Sequence, residues 1–350
     1  MVGGHGCGKS PYFLLASEKL APHGGGVNIY KSLILLALTV LVTSCNEQAN
    51  SPSTEEKNGL QVVCTVGMIS NLAQEITGDH ATVTNIIGEG ADPHVYKHTS
   101  KDVKLLQSAD LILFNGYHLE GKMEGILKKM NANGKAAYAV AEAVVSHDAL
   151  LKDEEGADDP HLWMDVSQWR RVAQYVHQML VEQLPAQKED LDANYNDLDQ
   201  RLDQLHHYCQ QTLATIPANQ RFLVTAHDAF GYMESAYGLN VRGIQGLSTE
   251  SEAGLKDLED LIVFLKEKQI PAVFIESSVN DKNVKALIEG AQAQGHKVKI
   301  GGELFSDAMG APNTYEGTYI GMIDHNVTTI TRALGGKAPA EGCFGKLSNH

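Results

Sequence analysis

Three histidines and one aspartate of this sequence lie in short segments of similar composition. The segments are DPHVY (92–96), DPHLWMD (159–165), TAHDAF (225–230) and ELFSDA (303–308). Imidazole nitrogen is a preferred ligand of zinc and related metals, and carboxylate oxygen also suits manganese. The four side chains therefore predict a site for one divalent transition-metal ion, and the candidate ligands are His94, His161, His227 and Asp307.

The tripeptide Asp-Pro-His occurs twice, at residues 92–94 and 159–161, and ends each time in a candidate ligand. Its proline fixes the backbone next to the histidine, so less conformational entropy is lost when that histidine binds a ligand. A three-residue match is weak by itself, and a single histidine is more often a hydrogen-bonded structural residue. The metal site is therefore predicted from the four segments together.

The elements that must position these segments are strands and helices in alternation. Strands are predicted over residues 60–66, 81–87, 110–115, 222–226, 272–276 and 297–300, and helices over 68–77, 101–108, 120–130, 255–268, 283–294 and 318–334. This alternation is typical of βαβ units and mainly parallel sheets. In such sheets ligands bind at the carboxyl ends of the strands, which is where the four segments fall.

A helical pattern without glycine or proline separates the two sets of βα units. It covers residues 188–216, and a helix of that length spans about 40 Å. The predicted fold class is α/β, with two lobes, each a mainly parallel sheet flanked by helices, joined by one long connecting helix. We expect metal-binding lobes over residues 60–187 and 217–336, the connecting helix over 188–216 and a C-terminal tail over 337–350.

The first residues of the chain have the composition of a targeting segment. Lys31 precedes the short apolar run SLILLALTVLVTSC, whose end is typical of a bacterial lipobox, with Cys45 as the lipidated residue. Residues 1–44 are therefore predicted to be an upstream extension and a lipoprotein signal peptide, followed by a flexible tether over 45–59. The open alternative is a buried apolar segment with an incidental cysteine.

One further motif near the start is interpreted as chance. GGHGCGKS (3–10) fits the phosphate-binding loop, but only two residues precede it, so the strand that this motif requires cannot form.

Composition excludes some classes of protein. The chain has 350 residues, with 28 Lys and Arg against 43 Asp and Glu, and its net charge of −15 argues against a nucleic-acid binder. Five cysteines over this length do not indicate a disulfide scaffold, and the state of Cys64, Cys209 and Cys343 stays open. No segment reaches the roughly 18 apolar residues of a membrane span.

The motifs DPHVY, DPHLWMD, TAHDAFGYMESAYGL, FIESS and GGELFSDAMG resemble those of a known family, in the same order, over about residues 62–334. This family is the TroA-like, or cluster A-I, substrate-binding proteins of zinc and manganese ABC importers. The resemblance implies the ligands His94, His161, His227 and Asp307, and a protein that is not an enzyme. It also implies an ABC permease and a separate ATPase subunit as partners, and an extracytoplasmic location on a lipid anchor. Dedicated zinc members often carry a His-rich loop, whereas residues 146–159 here are acidic with one histidine.

Two residues are candidates for orienting the ligands, and two other functions stay open. Glu276 ends a predicted strand near the site, and Asp228 follows His227 directly. A zinc hydrolase would need an open coordination position and a general base, for which Asp228 is the best candidate. An adhesin is a secondary alternative, because the sequence has no separate adhesive module. We expect a monomer.

Overall fold

The computed structural model describes residues 59–153 and 155–348. The motif at 3–10, the predicted signal peptide, Cys45 and the tether up to residue 58 lie outside the described residues. The described residues belong to one compact unit, Glu56–His350. None of its helices is both long enough and apolar enough to cross a membrane.

The N-terminal lobe is built on a four-stranded parallel sheet in the order β2-β1-β3-β4. Its elements are β1 (Leu60–Cys64), α1 (Gly67–Thr77), β2 (Ala81–Asn85), α2 (Ser100–Ser108), β3 (Leu111–Phe114), α3 (Glu124–Ala132), β4 (Ala137–Ala139), α4 (Val140–Val144) and α5 (Val166–Gln183). All four residues of β3 are buried, as expected for a central strand of a sheet that is covered on both faces.

The long helix α6 (Lys188–Leu213) follows α5 and packs against α1, α5 and α10 (Tyr319–Ala333). One stripe of leucines, with Leu198, Leu202 and Leu205 among them, is buried along it. The helix ends at Leu213, whereas the sequence pattern predicted an end at residue 216. Pro217 disfavours helical conformation in the residue before it, and the hydroxyl of Thr215 hydrogen-bonds the carbonyl of Thr212.

The C-terminal lobe contains two parallel strand pairs, of which β5 lies beside β7. Before α10, its elements are β5 (Phe222–His227), α7 (Gly231–Tyr237), β6 (Asn240–Gln245), α8 (Leu255–Lys268), β7 (Ala272–Glu276), α9 (Lys282–Ala293) and β8 (Lys299–Leu304). The predicted fold class, two α/β lobes with parallel strands and a long connecting helix, is confirmed. The lobe boundaries stay a prediction.

The apolar core is continuous between the lobes. One cluster extends from β1 and α1 through α5 and α6 to α10, and it includes Phe274 of β7 and Leu304 of β8. A second cluster fills the outer side of the C-terminal lobe, under α8 and α9. Because the first cluster belongs to both lobes, separating them would expose part of the core.

Several short elements were not predicted from sequence. Strand β4 has only three residues, and β6 contains Gly243, so neither gives a clear alternation of apolar side chains. Strand β8 begins and ends later than predicted, because Gly301 and Gly302 interrupt its pattern without ending the strand. The late end matters for function, since Asp307 follows Leu304 by three residues.

Candidate metal centre

The four predicted ligands converge between the lobes. His94 lies in the loop after β2, His161 lies in the loop before α5, His227 is the last residue of β5, and Asp307 follows β8. All four are buried, and one donor atom of each lies within 4.8 Å of the donor atoms of the other three. The carboxyl ends of β2, β5 and β8 thus face one position, as the sequence predicted.

The spacing of the donor atoms matches a tetrahedral metal site. Nε2 of His94 lies 3.3 Å from Nε2 of His161 and 3.7 Å from Oδ2 of Asp307. Oδ1 of Asp307 lies 3.5 Å from Nε2 of His161, and Oδ2 lies 3.2 Å from Nε2 of His227. Zinc bonds of 2.0–2.2 Å give a tetrahedron with edges of about 3.3–3.6 Å, and these four separations lie within or close to that range.

Three of these donor atoms are buried without a hydrogen bond to any described residue. Nε2 of His227 and both carboxylate oxygens of Asp307 are buried and lack a hydrogen-bond partner among the described residues. Leaving buried polar atoms unpaired costs free energy, and native proteins avoid it except where a ligand satisfies them. A divalent cation at the centre would satisfy all three atoms at once.

Carboxylates orient two of the three imidazoles. Nδ1 of His161 lies 2.8 Å from Oδ1 of Asp159, and Nδ1 of His227 lies 2.5 Å from Oε2 of Glu276. A carboxylate only accepts, so Nδ1 carries the hydrogen and the lone pair of the neutral ring is on Nε2, which points into the site. Glu276 therefore lies where the sequence placed it, and its effect on metal affinity stays a prediction.

The two Asp-Pro-His segments fold into the same local turn. Oδ1 of Asp92 accepts a hydrogen bond from the backbone N–H of His94 at 2.9 Å, and Asp159 does the same for His161 at 2.9 Å. Such side-chain-to-backbone turns are typical of aspartate, and the proline between the two residues restricts the backbone further. Both ligands are thus held before any metal binds.

A tryptophan links the lobes beside the site. The ring of Trp163 is fully buried against that of His161, and its Nε1–H donates to the carbonyl oxygen of Ser306 at 2.8 Å. Ser306 directly precedes Asp307. This hydrogen bond therefore fixes the loop that carries the aspartate ligand relative to the loop that carries His161.

Burial and neighbouring charges shift the pKa values of the candidate ligands in opposite directions. Burial lowers the pKa of His94 to about 3, despite the opposing effect of Asp307. Burial also lowers the pKa of His227, but Glu276 and Asp307 outweigh it and raise that pKa well above its ordinary value. Burial raises the pKa of Asp307, whereas the imidazoles, His227 first, lower it below its ordinary range. Asp307 is thus ionised and ready to bind a cation.

Asp228, the other candidate for orienting the ligands, lies close to His161 and His227 without a hydrogen bond to either ring among the described contacts. Burial, together with the charge of Asp159, raises the pKa of Asp228 to about 6. Its role stays a prediction.

Sequence analysis missed a buried carboxylate that organises both Asp-Pro-His loops. Glu120 accepts hydrogen bonds from the backbone N–H of Asn115 and Gly116 and from the hydroxyl of Thr65, at 2.6, 3.1 and 2.8 Å. The Asn115 side chain then donates to the carbonyl oxygen of Pro160 at 3.0 Å. A glutamate in a glycine-containing turn directly after a buried strand was the available signal.

The same turn also supports the first ligand loop. Gly121 has a positive φ of 46°, and a Cβ at this position would lie 2.6 Å from the carbonyl oxygen of His94. Only glycine allows the two backbones to approach this closely. Residues 115–121 therefore contact the loops of both His94 and His161.

Known proteins share this fold and much of this sequence. The chain is 42% identical over 300 residues to the manganese-binding lipoprotein MntA of Bacillus subtilis, covering 86% of this chain and 97% of that protein. It is 45% identical over 273 residues to the zinc-binding protein TroA of Treponema pallidum, covering 78% and 88%. The solved structure of that periplasmic zinc-binding protein aligns with a TM-score of 0.77 at 44% identity, covering 79% of this chain and 99% of that chain.

A family model matches most of the described chain, from residue 62 to residue 333. These relatives are named as metal-binding proteins, and PsaA of Streptococcus anginosus, 28% identical over 307 residues, is named as a manganese ABC transporter substrate-binding lipoprotein, which disfavours the hydrolase alternative. The chain therefore belongs to the ZnuA family, described as the periplasmic component A of zinc-uptake complexes.

Proposed function

We propose that this protein captures one divalent transition-metal ion, zinc or manganese, between its lobes and delivers it to an ABC permease that works with a separate ATPase subunit. The ligands are His94, His161, His227 and Asp307. The observation that carries the proposal is the set of four buried donors, in which one atom of each residue lies within 4.8 Å of those of the other three. The metal is the cargo of the protein and not a resident cofactor.

The donor set suits both metals. Three imidazoles favour zinc, and a carboxylate also suits manganese, so affinity order favours zinc while supply in the cell can favour manganese. The names of the relatives reflect the same division, because one is described as manganese-binding and another as zinc-binding. Direct competition between the two ions decides which one this protein prefers.

Four protein donors also favour a metal-transport site over the catalytic site of a zinc hydrolase. A catalytic zinc keeps a position open for water, whereas here a fourth protein ligand takes that position. Asp228, the best candidate for a general base, has no hydrogen bond to the ligand rings among the described contacts. An adhesive role, the other alternative, has no separate module to support it.

We further propose that the protein is extracytoplasmic and anchored to a membrane by a lipid on Cys45, and that it is a monomer. The support is the lipobox-like sequence ending at Cys45, the polar tether after it, and relatives that are named lipoproteins. The lobes over residues 60–187 and 217–336, with the connector over 188–216 and the tail over 337–350, complete this organisation. Mass spectrometry of the membrane-extracted protein tests the anchor.

The experiment that tests the function is a titration of the metal-free protein with zinc and with manganese, each in competition with a chelator of known affinity. Wild type should bind one ion, and both His227→Ala and Asp307→Ala should lose tight binding of it while remaining folded. His207→Ala, on the exposed side of α6, is the matched control and should bind as wild type does. Tight binding by both ligand variants would show that the site lies elsewhere.

A further inference from the structure

The three imidazoles of the proposed site are not held equally. His161 and His227 each place Nδ1 against a carboxylate, whereas Nδ1 of His94 has no hydrogen-bond partner among the described residues. His161 and His227 are fully buried, and His94 retains 4% of its surface. The ring of His94 can therefore turn with the smallest loss of contacts, because its Nε2 contacts His161 but no carboxylate holds its Nδ1.

His94 is also the ligand that borders open space. A cavity of about 670 Å³ lies against it, and none of the other three ligands lines this cavity. The wall contains ionisable side chains of both lobes, namely His118, Lys122, His147, Asp153, Asp158 and Glu250. Three carboxylates lie in this wall with Lys122, and Lys152 pairs with Asp158, so the remaining charge is weakly negative and favours a cation.

Two other cavities at the junction of the lobes lack this connection. One of about 300 Å³ lies beside Asp92 and Thr249, and one of about 230 Å³ lies between Gly67 and Met309. Neither is lined by any of the four ligands. The cavity at His94 is thus the one of these three that is lined by a residue of the proposed metal site.

The loop of His94 is held by a residue of the opposite lobe. Oδ1 of Asp92 accepts from the backbone N–H of His94, and Oδ2 of Asp92 accepts from the hydroxyl of Thr249. Thr249 lies between β6 and α8, in the same segment as Ser248 and Glu250, which line the cavity. The segment that forms part of the cavity wall therefore also fixes the first ligand loop.

From these contacts we infer that the metal ion enters and leaves through the cavity lined by His94, and that His94 is the ligand that binds last and releases first. Thr249 is a positioning residue, which keeps His94 in place through Asp92. The inference rests on the proposed function and adds the route of exchange and the order of the ligands.

The route is tested by narrowing the cavity. Glu250→Trp places a bulky side chain on its exposed rim, and Glu89→Trp does the same at the cavity beside Gly67, with the same loss of charge. Stopped-flow mixing with zinc and a fluorescent chelator gives both rate constants. Glu250→Trp should lower association and dissociation together by about tenfold at unchanged affinity, and Glu89→Trp should leave both at wild-type values.

Three results would overturn the route. The first is wild-type association and dissociation rates in Glu250→Trp. The second is an equal slowing of both rates in Glu89→Trp. The third is a fall of the association rate alone in Glu250→Trp, which is expected from the lost charge and not from a narrower cavity. Failure of the wild-type protein to bind either zinc or manganese would overturn the proposed function itself. If the wild-type protein binds metal and Glu250→Trp exchanges zinc at wild-type rates, only the proposed route is wrong.

The positioning role is tested by Thr249→Val, which removes the hydroxyl and keeps the shape of the side chain. Zinc dissociation should become about tenfold faster, as expected for losing one hydrogen bond to a charged group, while the variant remains folded by circular dichroism. Thr82→Val, on the exposed side of β2, is the control and should keep the wild-type dissociation rate. An unchanged dissociation rate in Thr249→Val would show that Thr249 does not hold His94.

Discussion

At the scale of residues, the sequence predicted the four candidate ligands but few of the contacts that support them. Strand direction brings His94, His227 and Asp307 to one edge, because each follows or ends a predicted strand, whereas the second Asp-Pro-His motif indicated His161. The hydrogen bonds of Asp92 with Thr249, and of Glu120 with Thr65, join residues far apart in the chain. Contacts of this kind depend on how segments pack, which no local pattern reports.

Glu276 provides the residue-scale prediction about affinity. Its two oxygens accept from the backbone N–H and from Nδ1 of His227, and a glutamine can accept only one of these hydrogen bonds. Glu276→Gln should weaken zinc binding about 10–100-fold, the usual effect of losing a partner of a metal-bound histidine. Competition with a chelator measures this loss. Glu303→Gln, on β8 away from the ligands, should leave affinity unchanged, and equal affinities in both variants would contradict the prediction.

Glu120 provides a prediction about pH. Burial raises its pKa to about 7 in the folded protein, so the folded state binds this proton more tightly than the unfolded chain does. The contribution of Glu120 to stability is therefore fully present below its unfolded pKa and is lost as the pH rises through about 7. Relative to Glu120→Gln, the metal-free wild type should lose about 3 kcal/mol of unfolding free energy between pH 4 and pH 8.

Urea denaturation of the two proteins at both pH values measures this difference, since effects of all other groups cancel between them. A difference in unfolding free energy that stays constant with pH would mean that Glu120 is not the titrating group.

At the scale of elements, long periodic segments were predicted well and short ones were not. Helix α8 was predicted with its observed ends, and α6 to within its last three residues. Sequence analysis predicted no element over α5, although Val172, Val176 and Leu180 recur at helical spacing and carried the signal. Strand β4 forms by pairing with β3, and β6 forms by pairing with β5. Such pairing depends on tertiary structure and leaves no local pattern in the sequence.

The connecting helix gives the element-scale prediction. Leu202 is fully buried on α6 and faces the shared core, so Leu202→Ala should lower the unfolding free energy by about 2–5 kcal/mol. Denaturation in urea without metal measures this change. Gln211→Ala, exposed on the same helix, should change stability by less than about 0.5 kcal/mol. Similar losses in the two variants would contradict the packing described for α6.

At the scale of the whole molecule, the lobes share a core and the metal site joins them. Ligands come from both lobes, Trp163 links them next to the site, and α6 packs against helices of each. Sequence patterns predicted the two-lobe architecture from the repeated βα rhythm and the long helix between. They could not show that one apolar cluster passes through both lobes, and this continuity favours small movements over wide opening.

Metal should therefore stabilise the molecule as a unit. Only the folded chain brings the four ligands together, so free zinc at 100 times the dissociation constant should add about 2.7 kcal/mol to the unfolding free energy. Thermal unfolding with and without zinc detects this as a higher midpoint. Asp307→Ala should show no such increase, and an increase as large as that of wild type would mean that zinc stabilises the protein from another site.

The most direct test of the account is a crystal structure of the zinc-loaded protein with anomalous diffraction data at the zinc edge. The account predicts one strong anomalous peak between the lobes, bonded at about 2.0–2.2 Å to Nε2 of His94, His161 and His227 and to the carboxylate of Asp307. A peak that lacks any of these four residues, or one with an open position occupied by water in place of Asp307, would contradict it.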